Sequence, residues 1–583
     1  MVITLFAGES TAEPMTDGAP LLAPQHLEQF QLEGERASWG ELEIIDIQGQ
    51  PFDRAIRLIT HNDPGSEWGL QATLKTDFDI HRGDVLLARF WMRCVESMSG
   101  EGHTGFVVEP IDTPDAKAVE LRVGAGKKWI QLFAPFKAMR NFPAGSAQIA
   151  FRGGFDRQTI EIGGIELINQ GPDADLAQLP RTHITYSGRD ANAPWRKTAL
   201  ERIEQIRKGD LTVHVVDPAG KPVPGATVNM KLKRHAFGFG SCVTADQITG
   251  ARPEDIKARE IIETYFNRVV FENDMKWPAM WDGAPATLDR AVDWLLERQI
   301  EIRGHNLLWP SWQWSPTELR AYERDPKALR RLCEKRVATA VSHFKGKLIH
   351  WDVVNEPFNN VDLLNILGTG VIADWLKLAR AADPDCKLFV NDFGIFDGGS
   401  DSPHRRHYFE TIQTLKQKGA PIDGIGIQSH FGATLPTPTN LLAVLDQFSA
   451  FGLPIESTEF TINNADRELQ ADYMRDYMIA VFSHPNVAGI MHWGFWEGRH
   501  WRPPAALWTR DWSPLPHAKV WIDLVTRQWS TQEKKTTDAT GGTKVRGFLG
   551  EYTIDVIQAG QTQRTTAKLT RDGTAVRVVM ESD

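Results

Sequence analysis

The chain has 583 residues, too many for one hydrophobic core, so two to four domains are expected. A formal net charge of -10 argues against nucleic acid as a partner, and no run approaches the ~20 apolar residues of a membrane span. Cys94, Cys242, Cys333 and Cys386 are widely spread, without CxxC or Cys/His spacing; no zinc site, disulfide framework or organic cofactor is called for. The 20 Trp stand out, because flat amphipathic rings suit both packing and the stacking of weakly polar ligands such as sugars.

Met1 to Phe6 is apolar but lacks a basic flank and a full hydrophobic stretch, so no signal peptide is expected. Over residues 1–180, short alternating runs (Ala88 to Cys94, Ala118 to Val123, Trp129 to Phe136, Ile160 to Leu167) are punctuated by Gly, Pro and Asp. They read as an antiparallel β-sandwich. In Lys127-Lys128-Trp129 and Gln158 to Ile165 this part resembles carbohydrate-binding sandwich modules. Trp39 and Trp68, beside turn residues, are candidates for a sugar platform or for core and spacer roles.

Residues 181–209 form a linker with a short amphipathic helix, carrying Trp195, Ala199, Ile203 and Ile206 between Pro194 and Gly209. Leu211 to Val216 and Ala226 to Leu232 alternate around a turn-rich Pro218 to Gly225, the pattern of a hairpin too small to stand alone. Tyr552 to Val556, Thr566 to Leu569 and Ala575 to Met580 add strands. The expectation is one small sandwich built from 210–234 and 540–583, interrupted by a central domain; a separate C-terminal β module is the alternative.

Across 235–530 the pattern becomes strand, helix, strand, helix, with strands starting near His235, Asn267, Ile300, Leu348, Lys387, Asp423, Pro454 and Ala488. Eight such units predict a (β/α)₈ barrel, whose chemistry lies at the C-terminal ends of the strands. Those ends are polar or aromatic: Glu272-Asn273, His305, Asn355-Glu356, Asn391-Asp392, Gln428 and His430, Glu459, Trp493. Two strands end in glutamates, Glu356 and Glu459, and two carboxylates across one pocket are what glycosidic hydrolysis needs: a proton donor for the leaving oxygen, and a nucleophile or base. Trp351 and Phe358 flank Glu356, while His430 and Asn355 are candidate hydrogen-bond donors that would keep the second carboxylate ionised.

Seven ordered stretches, Phe271 to Trp277, Arg303 to Trp309, Trp351 to Glu356, Asn391-Asp392, Gly424 to His430, Ser457 to Phe460 and Trp493-Gly494, resemble glycoside hydrolase family 10, the retaining endo-β-1,4-xylanases. The resemblance implies Glu356 as acid/base and Glu459 as nucleophile, acting on xylan or xylo-oligosaccharide through a covalent intermediate. It implies Asn355 at the 2-hydroxyl of the cleaved sugar and His430 orienting Glu459. Lys276, His305, Trp309 and Gln428 would line that subsite, with Glu272 and Asn273 at the next sugar, Trp493 as a floor and Trp501 as a lid. For Trp309 and Trp493 packing, for Lys276 an ion pair, and for His305 a core role are the competing readings. Asp352 and Asp392 are expected as supports.

Pro310 and Trp312 stand where many relatives have His and Gln. That leaves open a related hydrolase acting on another β-glycoside or on decorated or short chains. A non-catalytic carbohydrate-binding protein is the third reading, against which both carboxylates count. A polymeric substrate implies action outside the cytoplasm, secreted or periplasmic, and a monomer is expected.

Overall fold

The computed structural model describes residues 18–580 apart from 63, 65, 98–99, 115, 156, 184, 398–401 and 433, so Met1 to Phe6 lies outside the described residues. Two compact units are present: Met1–Ser187 with Asp397–Arg406 and Ala433–Pro436, and the remainder from Gly188.

In the first unit, two antiparallel sheets enclose one core. One runs Gly40–Asp46, Arg54–Thr60, Gln158–Gly171, Val85–Ser97, Ile130–Lys137; the other runs Gln31–Glu33, Gln71–Lys75, Ala147–Arg152, Gly102–Pro110, Val119–Ala125. Alternation turns Ile56, Leu58, Phe90, Met92, Ile160 and Ile162 inward against Phe106, Val108, Ile149 and Phe151, which is why these runs read as strands. Trp68 is 56% exposed, with the Arg152 guanidinium 5.9 Å from its ring; Trp39 is half-buried under Arg36.

The second unit opens with the helix Pro194–Ile206. It is more than a spacer, since Arg196 forms a buried 2.7 Å ion pair with Asp476 and Arg207, just past its end, donates to the backbone carbonyls of Phe482 and His484. A cation is favoured at such a helix C-terminus.

Lys208–Val216 lies between Gly542–Phe548 and, in parallel, Thr574–Val579, while Thr227–His235 lies between Gln532–Thr536 and Gly550–Gln558. The two runs flanking Pro218 to Gly225 are therefore not a hairpin: they belong to opposite sheets. Their apolar faces, Val213 and Val215 on one and Val228 and Met230 on the other, share one core with Ile554 and Val556. Facing each other buries both stripes, which side-by-side pairing would leave uncovered.

Eight parallel strands follow: β1 (Gly238–Val243), β2 (Arg268–Phe271), β3 (Glu301–Gly304), β4 (His350–Asn355), β5 (Lys387–Asp392), β6 (Gly424–Ile427), β7 (Ile455–Ile462) and β8 (Val487–His492). The β1–β8 and β6–β7 pairings close the barrel. Its interior is charged below the site. Arg268 pairs with Glu301 and Glu456, and fully buried Arg303 with Asp352. Gly426 on β6 leaves room that Asn391 needs, since a Cβ there would lie 2.4 Å from Asn391 Oδ1.

Candidate active site

At the end of β4 the backbone of Glu356 turns left-handed, at φ 53°. Such a conformation is unfavourable for a side chain larger than Gly and collects at functional sites. It is held by the Glu356 N–H donating to Asn391 O at 2.8 Å.

Four N–H groups converge on the Glu356 carboxylate. Gln428 Nε2 (2.7 Å) and Asn355 Nδ2 (3.2 Å) donate to Oε1, and Trp309 Nε1 (3.1 Å) and Asn360 Nδ2 (3.0 Å) to Oε2. Even so, burial pushes its carboxyl up to about 8, helped by the charges of Asp392 and Glu459 and opposed by the Gln428 hydrogen bond and Lys276.

Glu459 sits where the pairing of β7 with β8 slips between Ser457 and Phe460, an irregularity of the kind that re-aims a side chain. It accepts from Asn391 Nδ2 at 2.7 Å and meets His430 Nε2 at 3.3 Å. Burial resists its ionisation, but His305, His430 and Lys276 outweigh this and hold it down to about 2. The C-terminal ends of β4 and β7 thus present one carboxyl biased neutral and another biased ionised.

Asn391 Nδ2 donates to Asn355 Oδ1 (2.8 Å) as well as to Glu459, so two amides bridge the carboxylates. His430 reaches its place because Ser429, at φ 70°, turns the chain out of β6 and sets His430 beside Thr461 of β7. His305 Nδ1 contacts Asp352 Oδ2 at 2.8 Å, and its ring stands edge-on to buried Trp493, 5.2 Å between centroids.

Lys276 lies 5.0 Å over the Trp309 ring and donates to Asn273 Oδ1; burial lowers its pKa, against the pull of Glu459, Glu272 and Glu356. Burial, with Asp274 and Glu459, raises that of Glu272, while Lys276 and Arg499 oppose it. Trp501 stands apart from this hydrogen-bonded cluster: it is 46% exposed, its ring 5.0 Å from His430. The departures at Pro310 and Trp312 lie in a tied-down segment, with Leu363 N–H donating to Pro310 O and Trp312 N–H to Asp362.

Two residues escaped the sequence reading. Trp314 stacks on Trp309 at 4.3 Å and 11°; its aromatic character five residues on was a usable signal. Asn360 had none, because its approach depends on the turn at Glu356.

A family model described as Glycosyl hydrolase family 10 matches residues 228–521, half of the chain. The chain belongs to that family. Among curated relatives, the Anti-sigma-I factor RsgI6 of Acetivibrio thermocellus is 34% identical over 387 residues, 66% of this chain and 49% of its own length. A Beta-1,4-xylanase of Dictyoglomus thermophilum is also 34% identical, over 41% of this chain and 74% of its own. A crystal structure of xylanase 10B from Thermotoga petrophila RKU-1 aligns at 24% identity and a TM-score of 0.47, over 50% of this chain and 95% of that one. This chain spans less than half the length of four curated relatives that it matches.

Proposed function

We propose that this family 10 chain is a retaining endo-β-1,4-xylanase. The observation that carries the reading is the amide bridge from Asn355 through Asn391, which ties together two glutamates with opposite proton affinity. In the first step the Glu356 proton passes to the glycosidic oxygen as the C–O bond breaks and Glu459 bonds to the anomeric carbon. In the second, Glu356 takes a proton from water, whose oxygen displaces Glu459, so that two inversions retain configuration. Lys276, His305, Gln428 and Asn355 would hold the sugar being cleaved, Glu272 and Asn273 the next, with Trp493 beneath and Trp501 above.

On this reading the substrate is xylan or a xylo-oligosaccharide, the protein acts as a monomer outside the cytoplasm, and the N-terminal sandwich helps hold it on polysaccharide. Two attachments to one polymer raise the effective concentration of bonds at the site. Trp68, exposed beside Arg152, supports that role. No helix among the described residues is long and apolar enough to cross a membrane.

The test is hydrolysis of glucuronoxylan with product lengths resolved, alongside Glu356→Ala and Glu459→Ala. Short xylo-oligosaccharides from the parent, lost in both variants, are the expected result. Untouched xylan together with cleavage of mixed-linkage glucan or an aryl cellobioside would replace the substrate and leave the chemistry.

A further inference from the structure

Among the four donors to Glu356, three cannot change role. The Trp309 indole has only an N–H to offer. Asn355 is fixed because its Oδ1 already accepts from Asn391 and, at 3.3 Å, from Gln428 Nε2. Gln428 is fixed by that same donation together with its 2.7 Å bond to Glu356 Oε1. Among the described residues, Oε1 therefore faces two committed N–H groups rather than an acceptor for a proton of its own. Oε2 faces Trp309 and Asn360. Among the described residues, the other bond of the Asn360 amide goes to Asn359 Oδ1, on an exposed side chain where water can replace it. Asn360 itself is 9% exposed, and its backbone N–H donates to Glu356 O at 3.3 Å, so its amide stays beside the carboxyl whichever way it faces.

We propose that Asn360 is a positioning residue for the acid/base: its amide offers N–H to Oε2 when Glu356 is ionised and turns over to offer C=O when Oε2 carries the proton. A retaining mechanism needs the same carboxyl as an acid in one step and a base in the next. A partner that donates to one form and accepts from the other steadies both, where a fixed donor favours only the ionised form. It also assigns the transferable proton to Oε2. Of the charged groups facing this carboxyl, Asp392 and Lys276 keep their role between the steps, while Glu459 loses its charge on bonding to the anomeric carbon and so ceases to oppose ionisation of Glu356; the Asn360 amide then supplies the ionised form with a donor. The proposal rests on the retaining-hydrolase reading for its purpose, but the turnover itself is observable without catalysis.

In the full chain, with asparagine side chains labelled with ¹⁵N and glutamate carboxyls with ¹³C, the Asn360 amide resonance is expected to shift with pH at the midpoint of the Glu356 carboxyl. In Glu356→Gln, which leaves Asn360 intact, it is expected not to titrate. An Asn360 amide that is invariant with pH in the parent, or that titrates equally in Glu356→Gln, overturns the proposal. On aryl β-xylobiosides, Asn360→Asp, an isosteric acceptor with a like charge, should move the alkaline limb up by about one pH unit. It should also slow the second step, so that a burst of released phenol appears. Unmoved limbs in both Asn360→Asp and Asn360→Ala likewise overturn it. A parent that leaves the xylobiosides intact while the amide titrates as expected would remove the xylanase reading and keep the turnover.

Discussion

Glu356 and Glu459 are both glutamates at the C-terminal end of a barrel strand, yet they sit at opposite ends of the carboxylate range. Glu356 receives four N–H donors and is pushed up; Glu459 has Asn391 and His430 as its close partners and is held down. The difference lies in which charges lie near. Asp392 and Glu459 oppose ionisation of Glu356, whereas His305, His430 and Lys276 favour that of Glu459. Burial raises both carboxyls, and the neighbouring charges and hydrogen-bond donors together decide how far each is brought back down.

Removing either partner breaks the comparison most severely. Glu459→Ala is expected to lower kcat on xylan by about 10⁴-fold or more. Glu356→Ala should lose about 10²- to 10⁴-fold on xylan but far less in the bond-breaking step of an aryl xyloside with a good leaving group, a contrast that rates on a leaving-group series would reveal. If both variants respond alike to leaving group, the two carboxyls do not have separate roles.

A subtler change sharpens the contrast. His430→Ala removes a group holding Glu459 down, so the acid limb of kcat/KM should rise toward neutrality, with about a tenfold loss per pKa unit below it; an unchanged limb would assign the effect to His305 and Lys276. In the parent, activity is expected to fall above about 8 as Glu356 ionises and below about 2 as Glu459 is protonated.

Stability follows the same sign. The folded-state pKa of Glu356 lies above an unfolded value of about 4.3, so its contribution is fully present below that value and is lost as pH rises through about 8. Glu356→Gln should therefore melt above the parent at pH 9, with the gap closing below pH 5. The smallest effect is expected at Trp501, whose exposed ring touches the His430 edge: Trp501→Ala should raise KM about fivefold, a stacking energy near 1 kcal/mol, and leave kcat almost unchanged.

The barrel was legible because strands covered on both faces are written as continuous apolar runs. Observed β2 through β8 begin within two residues of the expected starts, while His235 proved to be the last residue of a sandwich strand and β1 begins at Gly238. Glu356 and Glu459 stood out because a charge closing such a run has no packing purpose. Sheet partners in the small sandwich were harder: an alternating run shows that one face is buried, not which neighbour supplies the pairing, so Leu211 to Val216 and Ala226 to Leu232 looked like a hairpin. Asn360 was hidden for another reason. Its contact exists only because Glu356 adopts a positive φ, and no periodicity encodes a single reversed residue.

The pairing of Lys231 with Gln532 also has a meaning for synthesis. Thr227–His235 leaves the ribosome about 300 residues before the strands that flank it on either side, which at 5–20 residues per second is a wait of roughly 15 seconds to a minute. Throughout that interval both its edges are open to mispairing. The strand is completed only after the intervening barrel has been translated, so closure of the small sandwich cannot precede synthesis of the whole catalytic domain.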